Sequence, residues 1–156
     1  MAILSEETLK KIEEVQKKYP TKRSAVLPSL YLAQAEQGYV TKEAMAEIAE
    51  LLSVPPIQVY ESATFYTMYN KKPVGRNHIQ VCTNLSCSLL GAEHIVEYIS
   101  KKIGVSKGKT TEDNKFTLST VECLGSCGTA PMMQINDDYH EDLTEEKIDK
   151  ILDGLS

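Results

Sequence analysis

The four cysteines of this chain constrain its fold more than any other feature, because they fall into two close pairs. The first pair is Cys82 and Cys87, and the second is Cys123 and Cys127. Each pair follows a segment whose pattern is typical of the end of a strand. Four thiolates supplied two by two suit a tetrahedral metal ion or a four-thiolate iron–sulfur cluster. Either centre requires a fold that brings two distant loops together.

Alternative roles for the cysteines agree less well with their spacing. Inert buried thiols do not account for two close pairs, and persistent disulfides are uncommon in a cytoplasmic protein. A dithiol redox site prefers two residues between its cysteines, just before a helix, and neither pair has that spacing. Structural zinc also favours the shorter spacing, although longer ones occur. An iron–sulfur cluster tolerates longer spacings because its irons spread the sulfur ligands, so both iron–sulfur and zinc remain open here.

Composition and charge describe an ordinary soluble protein of 156 residues, with 42% hydrophobic and 25% charged residues. A formal net charge of −5 argues against binding to nucleic acid through its phosphates. The acidic N-terminal segment lacks the pattern of a signal or transit peptide, and no apolar run approaches the roughly 20 residues that cross a bilayer. We therefore expect a cytoplasmic protein that meets a membrane only through a partner.

Residues 1–70 are predicted to form a helical bundle of four helices. Ser5 and Thr41 are expected N-caps, Gly38 a helix stop, and the Pro55-Pro56 pair a helix start. Apolar residues recur at helical spacing in the first three helices, as Leu9, Ile12, Val15 and Tyr19; Leu27, Leu30 and Tyr31; and Met45, Ile48 and Leu52. In the fourth helix Ile57, Tyr60 and Thr64 share one face. We assign these stripes to a shared core. An aromatic-rich stretch is assigned to the same core, with a buried protein interface as the alternative; it comprises Tyr60, Phe65, Tyr66, Met68 and Tyr69.

A polar linker at 71–77 separates the bundle from a second domain at 78–156. Alternation predicts strands and helical periodicity predicts helices, in the order strand 78–82, helix 88–103, polar loop 106–115, strand 116–121, strand 132–135, a hairpin turn, short strand 139–140 and a last helix capped by Thr144. This order is typical of a small thioredoxin-like α/β domain. The predicted fold class is thus α+β in two parts, an N-terminal helical bundle followed by a thioredoxin-like domain.

The surroundings of the cysteines favour a negatively charged centre. Cys87 directly precedes the predicted helix 88–103, whose N-terminus would present its partial positive charge to such a centre. Gly125 and Gly128 can adopt a positive φ and bring backbone amides close to sulfur. Met132 and Met133 are expected to fill the core.

Nothing in the sequence indicates that the chain itself binds a nicotinamide cofactor. No glycine-rich dinucleotide fingerprint follows a strand, and no phosphate-binding loop pattern occurs. His78, His94 and His140 lie on separate predicted elements without a nucleophile nearby. We therefore expect no complete active site on this chain.

Two segments, 81–87 and 121–131, resemble the cluster-binding segments of the thioredoxin-like 2Fe–2S ferredoxins. The stretch 59–69 is similar to a signature of one branch of that family, the small iron–sulfur subunits of the NADH-oxidising module of respiratory complex I. The resemblance extends over nearly the whole chain.

This resemblance implies a specific centre and specific partners. The ligands of one 2Fe–2S cluster would be Cys82, Cys87, Cys123 and Cys127, two to each iron. The chain would pair with a larger flavoprotein subunit that holds FMN and binds NADH, and with other complex I subunits at the inner membrane. Single electrons would pass between the cluster and the flavin, and the helical half would serve as docking surface.

Three alternatives remain open at this level. The same site occurs in related subunits of NAD-linked hydrogenases and formate dehydrogenases. A zinc-stabilised interaction module without redox activity would use the same four thiols. A stand-alone ferredoxin dimer is the third, and the N-terminal helices argue against it, since a plain carrier needs only the C-terminal half.

Overall fold

The computed structural model describes residues 3–155, which divide into two compact units between Pro73 and Val74. Within those residues it contains seven α-helices and five strands. The helices of the first unit precede the sheet of the second, as the sequence predicts. No helix in the described part of the chain has both the length and the apolar character needed to cross a membrane.

The first unit consists of α1 (Glu6–Gln16), α2 (Val26–Gln37), α3 (Lys42–Leu52) and α4 (Pro56–Phe65). The predicted caps are confirmed, because the Ser5 and Thr41 side chains accept backbone N–H groups at the starts of α1 and α3. Gly38 ends α2 with a left-handed φ of 79°. The first helix is shorter than expected and ends at Gln16, before Tyr19.

The core of the first unit matches the predicted stripes on three of its four helices, except at Tyr19 and Tyr31, which are exposed and were wrongly assigned to the core. Ile12, Leu30, Ile48 and Leu52 are completely buried. The assignment of α4 is wrong, since this helix buries its small residues, Val59 and Ala63, and exposes the opposite face. The small side chains allow α4 to pack closely against the other helices, and its large side chains face solvent. The exposed large side chains of α4 and the residues after it are Ile57, Tyr60, Phe65, Tyr66 and Met68.

Only Tyr69 of the aromatic-rich stretch lies in the core. It is 1% exposed, and its hydroxyl donates a hydrogen bond of 2.7 Å to the carbonyl oxygen of Leu27. A buried tyrosine needs such a partner for its hydroxyl. The prediction that the whole stretch is core is therefore wrong except at this residue.

The second unit is built on one five-stranded sheet in the order β2-β3-β1-β4-β5. Its strands are β1 (Asn77–Cys82), β2 (Lys109–Thr110), β3 (Phe116–Val121), β4 (Met133–Ile135) and β5 (Asp138–His140). The β1–β3 pair is parallel, and the other pairs are antiparallel. Cys82 stands opposite Val121, so both strands of the parallel pair end at the same edge of the sheet. The strand β2 lies in the segment that the sequence analysis assigned to a polar loop.

Three helices complete this unit, namely α5 (Leu85–Leu89), α6 (Ala92–Ile103) and α7 (Glu145–Gly154). The single helix predicted over 88–103 is wrong, because Gly91 adopts a φ of 92° and separates α5 from α6. The apolar face of α6 is as predicted, with Ile95 and Ile99 buried against the sheet together with Ile148 and Leu152 of α7. Met132 and Met133 are completely buried, which confirms their core role.

Gly75 passes so close to β3 that a side chain does not fit there. A Cβ at this position would lie 2.8 Å from the backbone carbon of Phe116 and 3.1 Å from the carbonyl oxygen of Asn114. We expect Gly75→Ala to lower the free energy of unfolding of the second unit by about 1–3 kcal/mol, because backbone must move to make room. Gly154→Ala is the matched control, since its Cβ meets nothing within 4 Å. Equal urea midpoints for the two variants would contradict this prediction.

Candidate metal centre

The two cysteine pairs lie on two loops that leave the same edge of the sheet. The first cysteine loop (residues 82–87) follows β1, and the second cysteine loop (residues 123–131) follows β3. The backbone N–H of Thr83 donates to the carbonyl oxygen of Val121 at 3.0 Å, so the loops begin side by side. Parallel pairing of β1 and β3 thus accounts for the meeting of cysteines that are far apart in sequence.

All four thiols interact with at least one other thiol of the set. Electrostatic interactions link the Cys82 thiol with those of Cys87 and Cys123, and the Cys87 thiol with that of Cys127. The structure therefore brings together the four residues that the sequence analysis singled out. Among residues 3–155 there is no group of three or more His, Cys, Asp or Glu side chains that could hold a single metal ion.

The two pairs differ sharply in exposure. Cys82 is 4% and Cys87 2% exposed, whereas Cys123 and Cys127 are exposed. Apolar side chains surround the buried pair, namely Ala92, Met132, Leu124 and Ala130. One side of the site is thus dry and the other faces solvent.

The buried thiols have opposite pKa shifts. Burial acts to raise the pKa of Cys82, but backbone N–H groups of Asn84 and Leu124 and the neighbouring thiols outweigh it, and the net pKa is lowered. Burial, followed by the hydrogen bond with Cys82, raises the pKa of Cys87. These opposite shifts favour the thiolate more at Cys82 than at Cys87, and Leu124, whose N–H contributes to the shift at Cys82, belongs to the other cysteine loop.

Backbone amides approach the sulfurs, but not all in the way that the sequence predicts. Gly125 has a φ of 77°, and its N–H donates to the Cys123 sulfur at 3.3 Å, as expected. The expectation of a positive φ is wrong for Gly128. The long helix α6 does not begin at Cys87 either, because this residue lies inside α5. One of the two backbone amides that act on Cys82 belongs to Asn84, the N-cap of α5.

Several residues that hold the second cysteine loop were missed by the sequence analysis. The Glu141 carboxylate accepts hydrogen bonds from the Ser126 and Thr129 hydroxyls, and the Tyr139 hydroxyl donates to the carbonyl oxygen of Leu124. The only sequence signal was the pair of hydroxyl residues on either side of Cys127. The histidines lie apart as predicted, on β1, α6 and β5.

The residues present fit a 2Fe–2S cluster. Such a cluster takes four thiolates, and the site offers four thiols from two loops. Its negative charge needs N–H donors at the sulfurs, and those of Asn84, Leu124 and Gly125 already point at Cys82 or Cys123. The dry wall around Cys82 and Cys87 limits access of water from one side.

A comparison with protein families agrees with this site. The family described as thioredoxin-like 2Fe–2S ferredoxin matches residues 12–156. The chain belongs to this family. In the described residues, the helical unit comes first and the five-stranded sheet second. The predicted fold of this chain, a helical part followed by a thioredoxin-like part, is therefore confirmed.

This chain is similar to named relatives over most of their length. The chain is 54% identical over 146 residues to the E subunit of the NADH-quinone oxidoreductase of Rickettsia conorii, a match that covers 92% of this chain and 87% of that protein. It is 45% identical over 144 residues to the second E subunit of the NADH-quinone oxidoreductase of Rhizobium meliloti, covering 92% and 86%.

Solved structures support the fold. The NAD+-reducing NiFe-hydrogenase in the H2-reduced state superposes with a TM-score of 0.71 at 22% identity, over 82% of this chain and 21% of that one. The air-oxidized state gives a TM-score of 0.66 at 20% identity, over 85% and 22%. This chain thus spans about a fifth of the hydrogenase chains, and the likeness concerns the fold alone.

Proposed function

We propose that this chain is an electron-transfer subunit of an NADH:quinone oxidoreductase, holding one 2Fe–2S cluster on Cys82, Cys87, Cys123 and Cys127. The observation that carries the proposal is the meeting of two cysteine loops at one end of a parallel strand pair, with backbone N–H groups directed at sulfur. Membership of the ferredoxin family and the similarity to E subunits of NADH-quinone oxidoreductases support it.

The protein residues do three things at this site. They supply thiolates, they donate N–H groups that stabilise negative charge on sulfur, and they exclude water from the Cys82 and Cys87 side. When bound, the cluster supplies a one-electron redox centre. The hydride chemistry of NADH belongs, in this proposal, to the FMN of a larger flavoprotein subunit, so this chain needs no complete active site.

The helical unit is proposed as a docking surface within the complex. Its support is the row of exposed large side chains at and after α4, among them Phe65, Tyr66 and Met68. Aromatic residues and methionine are enriched at protein interfaces. In this proposal, the complex also holds the chain on the cytoplasmic side of the inner membrane, since its partners provide the attachment.

Visible spectroscopy tests the redox part of the proposal. We expect anaerobically purified protein to absorb broadly in the visible range and to bleach on addition of dithionite, with iron and acid-labile sulfide in equal amounts. A colourless protein that contains zinc and no sulfide would instead establish the zinc-stabilised interaction module. Ser88→Ala, an exposed substitution in α5, serves as the control for purification and handling.

Affinity capture from native extract tests the choice of complex. We expect the tagged chain to retain a flavoprotein that contains FMN, together with subunits of a quinone oxidoreductase. Capture of hydrogenase or formate dehydrogenase subunits would assign the same site to an NAD-linked enzyme of that kind. Relatives near 50% identity named for the quinone enzyme favour the first result.

A further inference from the structure

One short segment, residues 139–143, makes several hydrogen bonds to the second cysteine loop and includes the end of β5. The Glu141 carboxylate accepts a hydrogen bond of 2.7 Å from the Thr129 Oγ1, and the same oxygen accepts one from the Ser126 Oγ. The two hydroxyl oxygens are 2.8 Å apart. Cys127 lies between these residues in the chain, so one carboxylate ties the backbone on both sides of it.

Three more hydrogen bonds join the same segment to the second cysteine loop. The Tyr139 hydroxyl donates to the carbonyl oxygen of Leu124 at 2.8 Å. The backbone N–H of Asp142 donates to the carbonyl oxygen of Thr129 at 2.8 Å. The backbone N–H of Leu143 donates to the carbonyl oxygen of Pro131 at 2.9 Å. These contacts extend from one end of the loop to the other, although Cys123 and Cys127 themselves are exposed.

The Glu141 carboxylate carries a negative charge at neutral pH. The hydrogen bond from Ser126, and then that from Thr129, hold its pKa below the ordinary glutamate value. Hydrogen bonds to an ionised acceptor are stronger than those between neutral groups. The contact is therefore suited to fix loop geometry, and at neutral pH it places a negative charge beside the loop that carries two of the four thiols.

We infer that Glu141 is a positioning residue for the cluster: its carboxylate, through Ser126 and Thr129, sets the second cysteine loop so that Cys127 is in place to bind iron. This inference rests on the proposed function, because it takes Cys127 to be a ligand. Residues that orient ligands typically contribute about 10–100-fold to metal affinity. The charge of Glu141 has a second consequence, since a nearby anion disfavours addition of an electron and lowers the reduction potential.

Two substitutions separate the effect of the hydrogen bonds that Glu141 accepts from Ser126 and Thr129, here called the tether, from the effect of its negative charge. Glu141→Ala removes both, whereas Glu141→Gln removes the charge and keeps one amide oxygen that can accept from the hydroxyls. We expect chelator-driven loss of the cluster to be roughly tenfold faster in Glu141→Ala and less accelerated in Glu141→Gln. Both variants should have a higher reduction potential than the unmodified protein.

Glu122→Gln is the matched control, because Glu122 is an exposed carboxylate next to Cys123 whose side chain makes no hydrogen bond to residues 3–155. It removes the same charge near the same loop without touching the tether. We expect its rate of cluster loss to equal that of the unmodified protein. Equal acceleration in Glu122→Gln and Glu141→Ala would show a general charge effect and overturn the inference.

A measurement on the cluster-free protein tests the tether directly. Backbone amide hydrogen exchange over residues 124–131 should be faster in Glu141→Ala than in the unmodified protein, while exchange in the β1 and β3 strands stays the same. Unchanged exchange in the loop would overturn the inference. If the unmodified protein carries no iron–sulfur cluster, the proposed function itself fails; if it carries one and both Glu141 variants match it in stability and potential, only this inference fails.

Discussion

Replacing Cys123 by alanine is expected to abolish assembly of a stable cluster. The reason is that a 2Fe–2S centre with four thiolate ligands would lose one of its iron–sulfur bonds at this position. Cys123 suits the test better than Cys87, because it is exposed and its truncation leaves no cavity, whereas Cys87 is packed among apolar side chains. The measurement is the visible absorption and the iron and sulfide content of Cys123→Ala purified without oxygen.

Loss of colour must be separated from loss of fold. The far-ultraviolet circular dichroism and the urea midpoint of cluster-free Cys123→Ala should match those of the cluster-free unmodified protein. Ser88→Ala, a substitution of similar size on the surface of α5, should retain full colour. Recovery of a complete, dithionite-bleachable cluster in Cys123→Ala would refute the ligand assignment.

Leu118→Ala is expected to destabilise the second unit by about 2–5 kcal/mol. Leu118 is completely buried at the middle of β3, directly opposite Ile79 of the central strand β1. Truncation removes buried apolar surface and leaves a cavity between the sheet and its helices. The neighbouring side chains are closely packed and cannot move into this cavity without strain. Native-state hydrogen exchange of the β1 and β3 amides reports the free energy of unfolding of this unit.

The matched control for this change is Leu89→Ala. Leu89 carries the same side chain but is 77% exposed, so its truncation removes little buried area and should alter the free energy of unfolding by less than about 0.5 kcal/mol. The difference between the two variants then reports mainly the loss of buried apolar contacts at Leu118. Similar exchange rates in Leu118→Ala and Leu89→Ala would mean that the sheet core is not packed as described.

The sequence predicts regular elements well where caps and periodicity agree. Thr41 and Gly38 bound α3 and α2 as expected, because capping is a local interaction that needs no knowledge of the rest of the fold. The break between α5 and α6 was missed, since the apolar spacing continues across Gly91 while the backbone turns there. The strand β2 was missed because two polar residues are too few to show the alternation of a strand. They form a strand only through hydrogen bonding with β3.

Periodicity identifies a helical face without telling whether the face is buried. On α4 the larger side chains, including Tyr60 and Phe65, are exposed, while Val59 and Ala63 pack inside. At the candidate site, spacing and resemblance identify the four cysteines. They do not predict that one pair is buried and the other exposed. Nor do they predict the role of Glu141, because its contacts with the second cysteine loop depend on the hairpin of β4 and β5.

Both edges of the five-stranded sheet are short, with two residues in β2 and three in β5. A short edge exposes few unpaired backbone groups, and charged residues such as Lys109 and Asp138 stand on these two strands. Long, flat edges invite strand pairing between molecules and aggregation. The short, charged edges therefore disfavour pairing of this sheet with the edge of another molecule's sheet.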